Sequence, residues 1–147
     1  MKRLSIIAPL FICFLACAAD SVPSPAEIRA HSGDAIGTAK LTHFDYRRHL
    51  DRAISKQSDG LHELFAFTTT EGFVGAGAED HCAILHDLLQ VWGDRRFAAV
   101  LRGESPRTRK AVVAALDYSW RYPGWQPAEF PQTYQLAAHK KIVVSPP

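Results

Sequence analysis

The stretch AEDHCAILHDLLQVW over residues 78–92, closed by Gly93, carries the strongest periodic signal in the chain. His81, Leu85, Leu88, Leu89 and Trp92 recur at intervals of three and four, the spacing that stacks side chains on one face of a helix with 3.6 residues per turn. Gly93 stands where a helix stop belongs, because glycine alone takes unusual backbone angles at no steric cost. A central helix over 78–92 therefore sets the fold class.

Working outward, the same logic repeats on both sides. Asp94 is placed to cap a short helix that buries Phe97, Val100 and Leu101 and halts at Gly103. Ser105-Pro106 pairs a capping hydroxyl with a proline at the first helical position and opens a further helix to about Trp120, whose stripe is Val112, Val113, Leu116 and Trp120. Towards the N-terminus, Asp59 caps a segment lined by Leu61, Leu64, Phe65 and Thr68 that ends near Thr70. Before it, Tyr46, Leu50, Ala53 and Ile54 mark a helix over 43–57, with Arg47, Arg48, Asp51 and Arg52 on its solvated side. Ser24-Pro25-Ala26-Glu27 reads as a capping box, but Ser32-Gly33 and Gly37 predict that its helix is short. Links of two to five residues force neighbouring helices side by side. The expectation is an all-α fold, a compact bundle of about five helices in antiparallel pairs.

The segments 93–101, 105–106 and 111–116 resemble the helix-turn-helix units of HEAT-type solenoids, with their small, apolar inner faces. The resemblance covers about 25 residues, has no second copy at a fixed period, and implies helical pairing without implying an activity.

Both ends differ in character from this middle. MKRLSIIAPLFICFLACAAD begins with Lys2 and Arg3, continues in an apolar run from Leu4 to Ala16, and closes on small residues, the layout of an export signal. The run is about thirteen residues, against ~20 for a membrane-spanning helix. Phe14-Leu15-Ala16-Cys17 resembles the bacterial lipobox, which implies a lipid on Cys17; cleavage after Ala18 or Ala19 is the other reading. Residues 1–19 are thus the expected signal, 20–41 a linker with a short helix, 42–121 the helical core, and 122–147 a strap. Pro123, Pro127, Pro131, Pro146 and Pro147 bar a long helix there, while Trp125, Phe130 and Tyr134 need cover. An extended strap over the helices is the expectation, with a short strand at 142–144 as an option.

Charge and cysteine content bound the function. Removing Lys2 and Arg3 lowers the basic count from 17 to 15, against 15 acidic residues, so the formal charge falls from +2 to 0. A neutral domain has no global field to gather a polyanion, which argues against a nucleic-acid partner. Of three cysteines, Cys13 and Cys17 lie in or beside the signal, leaving Cys82 as a lone thiol that cannot form an intramolecular disulfide.

Four candidate sites emerge. Glu79, Cys82 and His86 are three and four residues apart on the central helix and offer carboxylate, thiol and imidazole to a metal, although no CxxC, HExxH or paired HxH supports them. The same Cys82 with His86 or His81 as base would be the nucleophile of a small hydrolase, a role that needs a depressed thiol pKa. Gly72, Gly75 and Gly77 suggest a phosphate loop, which Glu79 and Asp80 in the following turn oppose by repelling an anion. Arg95, Arg96, Arg102, Arg107, Arg109 and Lys110 crowd positive charge into sixteen residues, read either as a solvated face or as a footprint for an acidic partner or lipid headgroups. Trp120, Tyr122, Trp125, Phe130 and Tyr134 offer packing, or a groove for glycan or peptide.

These readings converge on an exported, lipid-anchored, non-catalytic protein-binding module of the periplasm, with Arg95, Arg96, Arg102 and Trp125 as partner-binding residues and no cofactor. The alternatives are a small envelope hydrolase or metalloenzyme using Glu79, Cys82 and His86, and a structural lipoprotein that holds the cell wall through its aromatic tail.

Overall fold

A computed structural model of the chain describes residues 22–70, 74–118 and 127–137. The expected signal, Cys17, Trp120, Tyr122, Trp125 and the optional strand at 142–144 lie outside the described residues. Within them, eight α-helices follow one another: α1 (Pro25–Ala30), α2 (Gly33–Leu41), α3 (Tyr46–Ile54), α4 (Ser58–Phe67), α5 (Ala76–Trp92), α6 (Asp94–Arg102), α7 (Pro106–Tyr118) and α8 (Pro131–Tyr134), with a 3-10 turn at Pro127–Glu129 before the last. No strand occurs among the described residues, so the all-α class is as expected.

The helices expected in the middle of the chain are all present, and the additional ones lie at its two ends. Ser24 accepts from the Glu27 amide and Glu27 from the Ser24 amide, the expected capping box of α1. Gly33 and Gly37 do not stop the chain: α2 runs through both and buries Ala35 and Ala39, so residues expected as a linker supply part of the core. Tertiary packing outweighs the roughly 1 kcal/mol that each helical glycine costs. Asp59 is not the cap of α4, since Gln57 holds that position and the Asp59 carboxylate instead pairs with Arg52.

α5 is the axis of the molecule. From His81 to Leu89 every residue is buried, because α2, α3, α6 and α7 all pack against it. Ile28, Leu50, Leu64, Phe65, Leu85, Leu88, Phe97 and Leu116 join one continuous cluster drawn from α1 and from α3 through α7, with the two alanines of α2 completing it. α2 lies antiparallel to α5: Asp34 meets Asp80, and Thr38 meets Gly77. α3 and α4 form a hairpin whose backbones touch at Gly60, where a Cβ would come within 2.6 Å of the Ala53 nitrogen and the His49 carbonyl. α6 and α7 do not form the expected antiparallel pair; α6 packs chiefly on α8, with α5 and α4 behind it, and α7 packs chiefly on α5. The HEAT-like resemblance therefore does not extend to their arrangement.

Two turns are built on non-glycine residues in the left-handed region, His43 after α2 and Lys56 after α3. The Phe44 amide returns to the Ala39 carbonyl and the Gln57 amide to the Arg52 carbonyl, closing each helix end. Trp92 then donates its indole N–H to the Ala53 carbonyl at 2.9 Å, tying the end of α5 to the end of α3.

The described part of the strap is turned rather than extended. Pro131 occupies the start of α8, where its missing N–H costs nothing, and the Asp94 carboxylate accepts from the Gln132 and Thr133 amides at 2.9 and 2.8 Å. Asp94 is thus spent on α8, while Gly93, at φ 73° and ψ 151°, is the N-cap of α6. Phe130, Tyr134 and Leu136 pack against the core from this segment.

Candidate functional site

The central helix holds the most reactive side chains, and the fold encloses them. His81 is fully buried against Tyr46 and Phe67, with ring centroids at 5.6 and 5.3 Å, and Phe44 stacks on Phe67. Its Nδ1 lies 2.7 Å from the Tyr46 hydroxyl and its Nε2 2.9 Å from the Thr68 hydroxyl. Thr68 donates its own proton to the Leu64 carbonyl, so its oxygen accepts from His81 Nε2–H, and Nδ1 accepts from Tyr46. Protons thus point one way from α3 through α5 to the end of α4. Burial pushes His81 down to about 3 and lifts the Tyr46 phenol well above its usual range. Both are neutral at pH 7, which makes this network a structural brace.

The trio of Glu79, Cys82 and His86 does not become a site. Glu79 is half-buried, Cys82 is 5% exposed and His86 is fully buried. Burial, reinforced by the Glu79 charge, pushes the Cys82 thiol up to about 11, and burial drives His86 down to about 3. A nucleophilic cysteine needs the opposite shift, so the thiol is held in its unreactive form. Among the described residues no group of three or more His, Cys, Asp or Glu side chains is placed to hold a metal ion. His86, offered by the sequence as ligand or base, is core.

Further polar pairs join distant segments. His31 Nδ1 lies 3.4 Å from a carboxylate oxygen of the buried Asp87, and His62 Nδ1 lies 2.5 Å from Glu104 across 42 residues. Nothing local in the sequence signals a partner so far along the chain for either histidine. Arg29 pairs with Asp51 at 2.7 Å and Arg52 with Asp59, leaving a shallow mixed-charge groove on α3 lined by Asp45, Arg47, Arg48, Asp51 and Arg52.

The basic stretch stands differently. Arg95, Arg96 and Arg102 of α6 and Arg107 and Lys110 of α7 are exposed, and among the described residues none of them forms an ion pair. The two acids that dilute this stretch in sequence are engaged elsewhere, Asp94 by the amides of α8 and Glu104 by His62. Arg109 is separate from the other five: its guanidinium donates to the Glu104 carbonyl at 2.6 Å and to the Arg102 carbonyl at 3.4 Å, closing the end of α6. Ser105 caps α7 by accepting from the Thr108 amide at 3.1 Å, as the Ser-Pro pair predicts. The loop glycine Gly75 leads into α5, whose first turn carries Glu79.

Comparison with protein-family models, curated proteins and solved structures finds no match to this chain.

Proposed function

We propose that this chain is an exported, lipid-anchored, non-catalytic module that binds another protein in the cell envelope, with Cys17 as the lipidated residue. One observation carries the non-catalytic part. The nucleophile and the two bases that sequence alone nominates, Cys82, His81 and His86, are shut in the core in their uncharged forms. What the fold offers to solvent instead is a set of cations on α6 and α7 that form no ion pair among the described residues. A hydrolase or metalloenzyme built on Glu79, Cys82 and His86 loses its support for the same reason.

Among the described residues no helix is long and apolar enough to cross a membrane. Attachment in this reading rests on the acyl chain at Cys17, placed a few residues before α1. The test has two parts. A palmitate analogue should label the parent and not Cys17→Ser, which should leave the membrane fraction. In-cell crosslinking followed by purification from the envelope should then recover one protein at near-stoichiometric yield, and a Cys82→Ala variant should recover it equally well. Full-length protein in the cytosol with its leader attached would end the export reading. Loss of the partner on Cys82→Ala with the fold intact would return the thiol to the site.

A further inference from the structure

We infer that the exposed cations of α6, with Arg107 and Lys110 of α7, form the docking surface, and that its occupant is an acidic segment of a protein, rich in Asp and Glu. The inference rests on the protein-binding reading above and names the surface and the partner chemistry.

Two independent observations lead there. The first is that, among the described residues, Arg95, Arg96, Arg102, Arg107 and Lys110 form no ion pair, whereas on α3 Arg52 pairs with Asp59 and the unpaired Arg47 and Arg48 share their groove with Asp45 and Asp51. The second is position. Arg95, Arg96 and Arg107 sit in the first turns of α6 and α7, where the helix dipole is positive and disfavours a cation. α7 has no acidic residue in its first turn, and the acid of the α6 first turn, Asp94, is turned to α8. These arginines oppose their own helices. A surface that keeps side chains against local preference is the kind of place where function overrides stability.

The shape of the face favours a chain of carboxylates. Arg95, Ala99 and Arg102 are exposed along one stripe of α6, as are Arg107, Lys110 and Ala114 along α7. Ala99 stands between Arg95 and Arg102 and leaves the ground there low, so a partner backbone can lie close. Arg95 and Arg102 are seven residues apart, about 10 Å along the axis. That matches acids three residues apart in an extended segment, at ~3.3 Å each. Four of the five cations are arginines, whose planar fork suits bidentate carboxylate. Arg109 locks the turn at 103–105, so Arg102 and Arg107 are presented on fixed backbone.

The experiment uses the full chain carrying Cys17→Ser, so that no acyl group contributes, with fluorescein-labelled poly-glutamate as probe. The parent should bind it with an affinity that falls as salt rises. Arg95→Glu/Arg107→Glu should lose at least about tenfold in affinity, while its thermal midpoint holds or rises because the reversed charges now suit the dipoles. Arg47→Glu/Arg48→Glu on α3 makes the same change in net charge and should bind like the parent. Equal binding by the parent and Arg95→Glu/Arg107→Glu overturns the surface, as does a lowered midpoint, which would make these arginines structural. Vesicles of phosphatidylethanolamine and phosphatidylglycerol captured in preference to the peptide overturn the partner class in favour of lipid. If peptide binding behaves as stated but the envelope yields no crosslinked protein, the functional reading fails and the surface stands.

Discussion

Acidification tests the brace at the centre of the molecule directly. His81 is held at about 3 by burial, against an ordinary value of 6.5. Between those two pH values the unfolded chain binds a proton at this position and the native chain does not, so stability falls as pH drops below 6.5 and the loss is complete near 3. Each pH unit in that window removes about 1.4 kcal/mol for one such group. From pH 6.5 to 5 the loss from His81 alone is about 2 kcal/mol, a large share of the 5–15 kcal/mol that holds a typical domain together. His86, shifted by burial to a similar value, adds in the same direction. Urea unfolding followed by far-UV circular dichroism at pH 7.5, 6.5, 5.5 and 5 (about these values) should show a falling midpoint with an unchanged slope, and His86→Leu should make the pH dependence shallower. A stability flat from pH 6.5 to 5 would refute the neutral, enclosed state of both rings. A stability that rises on acidification would show that His81 is protonated in the fold, with an anion beside it.

Other outcomes follow from particular contacts. Tyr46→Phe removes the donor to His81 Nδ1 and should cost about 1–3 kcal/mol in urea unfolding at neutral pH. Gly60→Ala should destabilise by at least about 1–3 kcal/mol despite alanine's better helix propensity, because the atoms 2.6 Å from the new Cβ include backbone of α3 that has nowhere to move. Lys56→Gly should do the reverse and stabilise by about 0.5–1 kcal/mol, since glycine relieves the left-handed φ of 59° that ends α3. Asp94→Ala leaves the Gln132 and Thr133 amides without their acceptor, and hydrogen exchange should quicken at those two positions while α5 stays protected.

The helices of the middle of the chain were legible from caps and periodicity alone. Capping and amphipathic stripes act within one or two turns, so Ser24, Gly93 and Ser105-Pro106 could be read without knowing what each helix packs against. The two helical ends were not. α2 has two glycines and almost no amphipathic pattern, and it exists because Ala35, Ala39 and the bare Gly77 let its backbone settle onto α5. α8 depends on a carboxylate from 38 residues upstream.

The candidate site divides in the same way. Sequence located the reactive trio on α5 and the run of arginines after it, because both are matters of spacing and composition. It could not show that α2, α3, α6 and α7 pack round α5, which places His86 in the core and leaves Cys82 a protonated thiol. Nor could it show that Asp94 and Glu104, neighbours of the arginines in sequence, are drawn away by α8 and His62. Helix identity is decided within a few residues, where backbone hydrogen bonds form. Burial and charge pairing are decided by whichever distant segments meet in space, and only the tertiary structure brings those together.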